Sequence, residues 1–273
     1  MWVAVQSMPA RLTSVVSVLL GTTAILGLST ILLSVFLGGA WRRASAQSKA
    51  QNQAFTILVF TKTAGFRHDS IAAGVAAIQA LGNKHNFHVH ANEDATVFSD
   101  NHLARYRCVV FLNTTGDILD SNAQVALERF IRRGGGFVGI HAAADTEQAW
   151  PWYGKLVGTY FDSHPAIQTA TLKVVDAAHV STKHLPAAWQ RRDEWYNFRY
   201  DPSPHVNVLI RIDETTYSGG KMGVSHPIAW YHQYDGGRAW YTALGHTAES
   251  YQEPLFLSHL LGGIRWAAGA TPK

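Results

Sequence analysis

The sequence predicts an α/β fold in which a doubly wound, mostly parallel sheet carries helices on both faces. Short runs of consecutive apolar residues are typical of strands that are buried on both sides. Between them lie segments with apolar residues three or four positions apart, which is typical of amphipathic helices. The 273 residues are 47% hydrophobic and 15% charged, so one large core is expected and disorder is not.

The first strand and helix are predicted over residues 55–60 and 70–81. The strand segment, Phe-Thr-Ile-Leu-Val-Phe, contains a single polar residue. The helix segment spaces its apolar residues by three and four, at Ile71, Val75, Ile78 and Leu81. One face of this helix is therefore expected to pack on the sheet.

The next elements repeat this alternation. Residues 87–91 and 108–112 are predicted strands, and residues 121–133 are a predicted helix that three glycines, 134–136, bring to an end. Residues 137–140 form the following predicted strand. Strands that alternate with helices at this spacing are expected to run parallel in one sheet.

After residue 165 strands dominate the pattern. Further strands are predicted at 169–175, 206–212, 228–234 and 238–244, followed by a closing helix at 255–268. Asp235-Gly236-Gly237 predicts a hairpin between the last two strands, because glycine adopts positive φ at no steric cost.

The N-terminal region is expected to be a signal peptide or a membrane anchor. Residues 12–41 contain no charge and are flanked by Arg11 and by Arg42–Arg43. As a helix, at about 1.5 Å per residue, this hydrophobic segment would exceed the ~30 Å hydrocarbon core of a bilayer. Ala44-Ser45-Ala46 also has the small-residue pattern of a signal-peptide cleavage site, so both alternatives remain open.

These signals predict three regions. Residues 1–46 are the signal or anchor, 47–54 a linker and 55–268 the folded domain. The domain is therefore expected to be exported, to the periplasm or the cell exterior, or to be held at a membrane outside the cytoplasm. A membrane is a predicted partner only if the N-terminal region is uncleaved.

Charge and cysteine content exclude two classes of protein. The net charge is +4, but residues 1–46 contribute three arginines and no acidic residue, which leaves a net charge of +1 on the rest. Nucleic-acid binding is therefore not expected, since no basic surface remains to contact phosphates. The single cysteine, Cys108, excludes a disulfide framework and a multi-cysteine zinc site.

Candidate site residues follow the predicted strands. Ligands of doubly wound sheets bind beyond the carboxyl ends of the strands. The residues that we expect at this edge are His68, His141, Asp145 and His246 as a catalytic set, with Trp152 and Asn113 as substrate-binding residues. Structural roles are compatible with several of them, such as a helix cap at His68 or Asp145.

Five segments resemble the ThuA-like (trehalose-utilisation) family over residues 55–266. They are Gly65-Phe66-Arg67-His68, Gly139-Ile140-His141-Ala142-Ala143-Ala144-Asp145, Asp162-Ser163-His164-Pro165, Asp193-Glu194-Trp195-Tyr196 and Ala243-Leu244-Gly245-His246. The resemblance implies a flavodoxin-like, three-layer sandwich similar to class I glutamine amidotransferases. It also implies a role in the use of disaccharides, and its segments add His164 and Glu194 to the expected substrate-binding residues.

The chain departs from the amidotransferases at the nucleophile. The turn at residues 139–142 contains no cysteine or serine, and Cys108 lies in an apolar strand segment, where burial makes a thiol unreactive. His246 matches the position of the triad histidine in the resemblance, whereas the nearby acid, Glu249, is offset by three residues. Cysteine-based acyl transfer is therefore not expected.

The remaining His, Asp and Glu residues suit acid–base chemistry or a divalent metal. If a metal is bound, His141, His246 and Glu194 are the expected ligands and zinc or manganese the expected ion. No closely spaced histidine pair of the His-x-x-x-His type is present, which favours acid–base chemistry without a metal.

Two classes of function follow, both with a small carbohydrate as partner and both compatible with a homo-oligomer. The first is an enzyme that transfers a proton on a disaccharide or keto-sugar. The second is a non-catalytic sugar-binding module at the cell surface. An enzyme requires at least two titratable groups within hydrogen-bond reach of one point, so the geometry of the site distinguishes the two.

Overall fold

The computed structural model describes residues 54–270. The predicted N-terminal hydrophobic helix and almost all of the predicted linker lie outside these residues. Among the helices in this range, none combines the length and the apolar character needed to traverse a bilayer.

Strands and helices alternate along the first half of the described chain. In chain order the strands are β1 (Phe55–Phe60), β2 (Phe87–Asn92), β3 (Cys108–Leu112), β4 (Gly136–Ile140), β5 (Phe161–Ser163), β6 (Gln168–Val174), β7 (Ala188–Asp193), β8 (Asn197–Phe198), β9 (Asn207–Ile212), β10 (Pro227–Tyr234) and β11 (Gly237–Thr242). The helices are α1 (Ile71–His85), α2 (Asp100–Leu103), α3 (Ser121–Arg132), α4 (Pro151–Val157) and α5 (Pro254–Ala267).

Nine of these strands form one sheet, in the order β2-β1-β3-β4-β11-β10-β9-β6-β7. Strands β2, β1, β3, β4 and β11 are parallel, as predicted for the first four of them. With β11 counted as the fifth strand, this is the order 2-1-3-4-5 of a common doubly wound arrangement. In particular, β11 runs parallel to β4, with Thr242 beside Ile140. The residues that follow β4 and β11 therefore meet at the same edge.

The other half of the sheet differs from the mostly parallel prediction. From β11 to β7 all four pairings are antiparallel. The predicted hairpin accounts for the change of direction: Asp235 and Gly236 both have positive φ, +48° and +93°, and form a two-residue turn between β10 and β11. Connections this short cannot return a chain to a parallel position.

Helices cover both faces of the parallel half, as predicted, in three layers. A Cβ atom on Gly136 would lie 2.3 Å from the backbone oxygen of Ala267, so β4 and α5 are in close contact on one face. Phe137, the next residue, packs on Tyr153 of α4 on the other face, with 5.8 Å between ring centroids. Alternate residues of β4 therefore contact different helical layers.

Helix α1 is longer than its prediction. It continues past Leu81 to His85 and ends where Asn86 takes the left-handed conformation, with φ of +61°. Asparagine is one of the few residues that adopt this conformation readily, which makes it a frequent helix terminator. Strands β5, β7 and β8 and helices α2 and α4 were not predicted from the sequence.

Candidate functional site

His141 directly follows β4 in a strained backbone conformation. Its φ is +49°, a left-handed value that is uncommon for any residue other than glycine. The hydroxyl of Tyr241 donates to the backbone oxygen of His141 at 2.8 Å, and the ring Nδ1 lies 2.8 Å from the backbone oxygen of Ala243. Because a carbonyl only accepts, Nδ1 carries the proton, and Nε2 is the nitrogen presented to the site.

His246 reaches His141 from the turn after β11. The two ring nitrogens, His246 Nδ1 and His141 Nε2, are 3.1 Å apart. Gly245 makes this turn possible: its φ is +106°, and a Cβ atom there would lie 2.8 Å from the hydroxyl oxygen of Tyr251. Glycine alone fits both the conformation and the space.

Glu194 lies at the centre of the site; the sequence predicted it as a substrate-binding residue and, if a metal is bound, as a ligand beside His141 and His246. Its Oε2 atom is 3.4 Å from His141 Nε2 and 3.2 Å from His246 Nδ1. Glu194 follows β7, four strands from β11, a separation of about 19 Å in a flat sheet. The antiparallel half must therefore curve round to bring the far edge strand back to the parallel half.

His68, in the loop between β1 and α1, completes the group. Its ring centroid is 4.9 Å from that of His141 and 5.1 Å from that of His246. The side chain is buried, and Nδ1 has no hydrogen-bond partner among the described residues. One donor atom from each of His68, His141, Glu194 and His246 lies within 4.8 Å of the others. We call these four residues the histidine–glutamate cluster.

The electrostatics of the cluster keep Glu194 ionised and His68 neutral. Burial, together with the neighbouring His141 and His246, lowers the pKa of His68 to about 3. Burial alone would raise the pKa of Glu194, but hydrogen bonds from His141 and His246 outweigh it and lower that pKa. For His246, burial lowers the pKa and the contact with Glu194 raises it, with a net increase.

Asp193 holds two members of the cluster in place. Its buried carboxylate accepts hydrogen bonds from the backbone N–H groups of Glu194, Gly245 and His246, at 3.0, 2.9 and 3.2 Å. The guanidinium of Arg191, also buried, donates to the same carboxylate at 3.0 Å. One side chain thus joins the end of β7 to the turn that carries His246.

His164 lies at the mouth of the cluster. Its Nδ1 is 3.0 Å from Glu194 Oε1 and 3.0 Å from the backbone oxygen of Pro165. The side chain is 43% exposed. Both partners are acceptors, so Nδ1 carries the proton and Nε2 is the nitrogen that a ligand can reach.

The other predicted residues lie outside the cluster. Asp145 is half-buried and accepts a hydrogen bond from Gln148; burial raises its pKa. Asn113 is fully buried beneath the site, where its amide donates to Ser70 at 2.9 Å. The indole of Trp152 donates to Asp235 in the β10–β11 hairpin, at the opposite edge of the sheet.

Sequence reasoning gave no role to two residues that shape the site. Asp193 belongs to one of the family-like segments, but its hydrogen bonds could not be inferred from that pattern. Tyr196 lies in the same segment, and its buried ring packs on His141 with 4.2 Å between centroids. Cys108 is fully buried, as predicted, and burial raises the pKa of its thiol.

The fold and the site together define an α/β protein with a polar cluster at the carboxyl edge of the parallel half of its sheet. The model of the ThuA family, described as trehalose utilisation, matches residues 56–267. The chain therefore belongs to the ThuA family, as the sequence motifs indicated, and this membership associates it with carbohydrate utilisation in general. No curated protein matches the chain.

Solved structures share the fold. A ThuA-like protein from Parabacteroides merdae has a TM-score of 0.68 at 23% identity, over 81% of this chain and 93% of that one. A ThuA-like protein from Bacteroides uniformis has a TM-score of 0.66 at 22% identity, over 78% and 91%. A β-galactosidase from Bacillus circulans sp. alkalophilus reaches 0.53 at 14% identity, and the match covers 80% of this chain but 32% of the galactosidase.

Proposed function

We propose that this protein is an enzyme that transfers a proton on a disaccharide or keto-sugar at the histidine–glutamate cluster. Its membership of a trehalose-utilisation family supports a carbohydrate substrate. The charge-free segment at residues 12–41 supports a site of action outside the cytoplasm, either as an exported or as a membrane-anchored protein.

The observation that carries the proposal is the contact between His164 and Glu194. Glu194 Oε1 accepts from His164 Nδ1, which orients the imidazole and leaves its Nε2 free to act on a substrate. A carboxylate that fixes the tautomer of a histidine is a recurrent feature of general acid–base sites. His164 is partly exposed and Glu194 is buried, so the imidazole of His164 lies on the solvent side of the cluster, from which a sugar would enter.

His164 takes the proton in the proposed reaction. Its Nε2 removes a proton from a carbon next to a carbonyl, and the electron pair of the broken C–H bond forms a C=C bond while the C=O electron pair moves onto the carbonyl oxygen. The proton returns to a carbon or an oxygen atom of this enediolate, which gives back the keto-sugar or yields its isomer.

This geometry supports an enzyme over the sugar-binding module. An enzyme, unlike a binding module, requires at least two titratable groups within hydrogen-bond reach of one point. The carboxylate of Glu194 contacts three imidazoles, those of His141, His164 and His246, and so meets this requirement. Burying an ionised carboxylate among histidines is energetically costly, and acid–base chemistry gives this arrangement a function.

The test is isotope exchange and turnover with a panel of oxidised and unoxidised disaccharides in D₂O, followed by NMR. We expect the wild type to incorporate deuterium or to convert at least one sugar. His164→Gln should lower the rate by about 10²–10⁴-fold, the usual contribution of a general acid or base. The matched control, His102→Gln, changes an exposed histidine on α2 and should leave the rate unchanged.

Two results would contradict the proposal. The first is a wild-type protein that binds a sugar of the panel without exchange or conversion, which is the behaviour of a binding module. The second is a His164→Gln variant as active as the wild type.

A further inference from the structure

The four side chains of the cluster present more acceptors than donors to one point. In its neutral form His141 offers a lone pair on Nε2 to this point, because its Nδ1 proton is donated to the backbone oxygen of Ala243. Glu194 Oε2, which is 3.4 Å away, is also an acceptor. His246 Nδ1 can supply one proton at most, and it lies within 3.2 Å of both atoms.

A buried group of lone pairs with too few protons is unfavourable unless a cation lies between them. His68 sharpens the imbalance, because it is buried and its Nδ1 has no hydrogen-bond partner among the described residues. We infer that His68, His141, Glu194 and His246 bind one divalent transition-metal ion, with zinc bound more tightly than manganese or magnesium. The inference goes beyond the proposed reaction and does not depend on it.

The spacing of the donor atoms matches the coordination shell of such an ion. A tetrahedron with metal–ligand distances of 2.0–2.1 Å has edges of about 3.3 Å. The three distances among His141 Nε2, His246 Nδ1 and Glu194 Oε2 are 3.1, 3.2 and 3.4 Å. His68 supplies a fourth donor atom within 4.8 Å of the others.

The surroundings of the ligands also fit a metal site. A metal-binding histidine usually donates its second ring N–H to a carbonyl or carboxylate, which fixes the ring. His141 does this with Ala243, and the outer oxygen of Glu194 is held by His164. His164 is not one of the four ligands and remains available to transfer a proton.

The chemical nature of the ligand atoms determines which metal ions the site prefers. Three imidazoles and one carboxylate suit zinc and other late first-row ions, whereas magnesium prefers a shell of oxygen atoms. Manganese stands below zinc in the usual order of affinities for such ligands. The sequence favoured a site without metal because no His-x-x-x-His pair is present, but the fold assembles the ligands from four separate segments.

The experiment is calorimetric titration of the purified full-length protein, stripped of metal by a chelator and then dialysed, with zinc, manganese or magnesium chloride. We expect one zinc ion per chain and weaker binding of the other two ions. Cobalt(II) is a second probe, since its visible absorption reports coordination by nitrogen and oxygen ligands and requires no catalytic activity.

Variants locate the ion. Glu194→Gln and His246→Gln should each weaken zinc binding by more than the ~10–100-fold that loss of an outer-shell partner costs. His232→Gln is the matched control: His232 is also buried and bonded to a backbone oxygen, that of Lys155, but it does not belong to the cluster. Circular dichroism of every variant shows whether it is folded.

Zinc binding that is equally strong in Glu194→Gln and His246→Gln would overturn the inference, since the ion would then be held elsewhere. So would a folded wild type that binds no zinc. Either result leaves the proposed proton transfer by His164 standing. Conversely, a protein that binds zinc at the cluster but converts no sugar would refute the proposed function alone.

Discussion

Replacing Asp193 with asparagine preserves the shape of the side chain and removes its charge. In the native protein Oδ1 accepts the N–H groups of Glu194 and His246, while Oδ2 accepts those of Gly245 and Arg191. An asparagine offers one acceptor atom and one donor group. Whichever way the amide is oriented, at least two of the four donors then face another donor.

The expected loss of stability is large because both charged side chains are buried. Asp193 is fully buried and Arg191 nearly so, and removing one partner of a buried ion pair costs about 3–5 kcal/mol. For a domain of this size each kcal/mol shifts the midpoint of thermal unfolding by about 2–4 °C, so a decrease of roughly 10 °C is expected.

Thermal and urea unfolding followed by circular dichroism measure this loss. The control is Asp100→Asn. Asp100, like Asp193, forms ion pairs with arginine, in this case Arg129 and Arg133, but these pairs lie on the surface. Exposed pairs contribute little, so the control should unfold close to the wild-type midpoint. An Asp193→Asn variant that loses less than ~1 kcal/mol would show that the buried carboxylate does not hold the two segments as described.

Three further predictions follow from other residues. Burial lowers the pKa of His259 to about 3, against about 6.5 in the unfolded chain, so the folded state resists protonation. The free energy of unfolding should therefore fall as the pH drops from 6.5 toward 4, by up to ~1.4 kcal/mol per pH unit. Urea titrations at several pH values measure that slope, and His259→Gln should reduce it. Gly245→Ala should unfold at lower urea and bind zinc more weakly, because the φ of +106° and the contact with Tyr251 exclude a Cβ atom. Finally, the fully buried Cys108 thiol should react with Ellman's reagent only in denaturant; rapid reaction of the folded protein would contradict its placement.

The parallel half of the sheet could be predicted because its strands are buried on both faces. Strands such as β3, whose five residues are all buried, are therefore continuous apolar runs that the sequence displays directly. Strand β7 was missed for the opposite reason. Its buried face consists of Trp189, Arg191 and Asp193, so a buried ion pair gives the strand the appearance of a polar loop.

The candidate site was predictable in the part that depends on parallel strands. His141 and His246 follow β4 and β11, and their ring centroids are 5.0 Å apart, well within the expected common pocket. Glu194 was grouped with His141 and His246 only as a ligand if a metal is bound; its central position depends on the curvature of the antiparallel half, which the strand pattern does not reveal. The position of Trp152 was not predictable either. It comes eleven residues after His141, and a segment of that length can reach the opposite edge of the sheet.

The curvature of the sheet makes the cluster part of a closed ring of strand pairings and hydrogen bonds. From β11 the strand pairings pass through β10, β9 and β6 to β7, and Asp193 at the end of β7 bonds back to the turn that follows β11. None of these segments can move away from the cluster without breaking a strand pairing or the contacts of a buried carboxylate. The backbone amide protons of Gly245 and His246 are therefore expected to exchange with solvent only when the whole domain unfolds. A substrate meets a site that is already formed, and any adjustment to its shape falls to exposed side chains at the rim, such as His164 and Phe66.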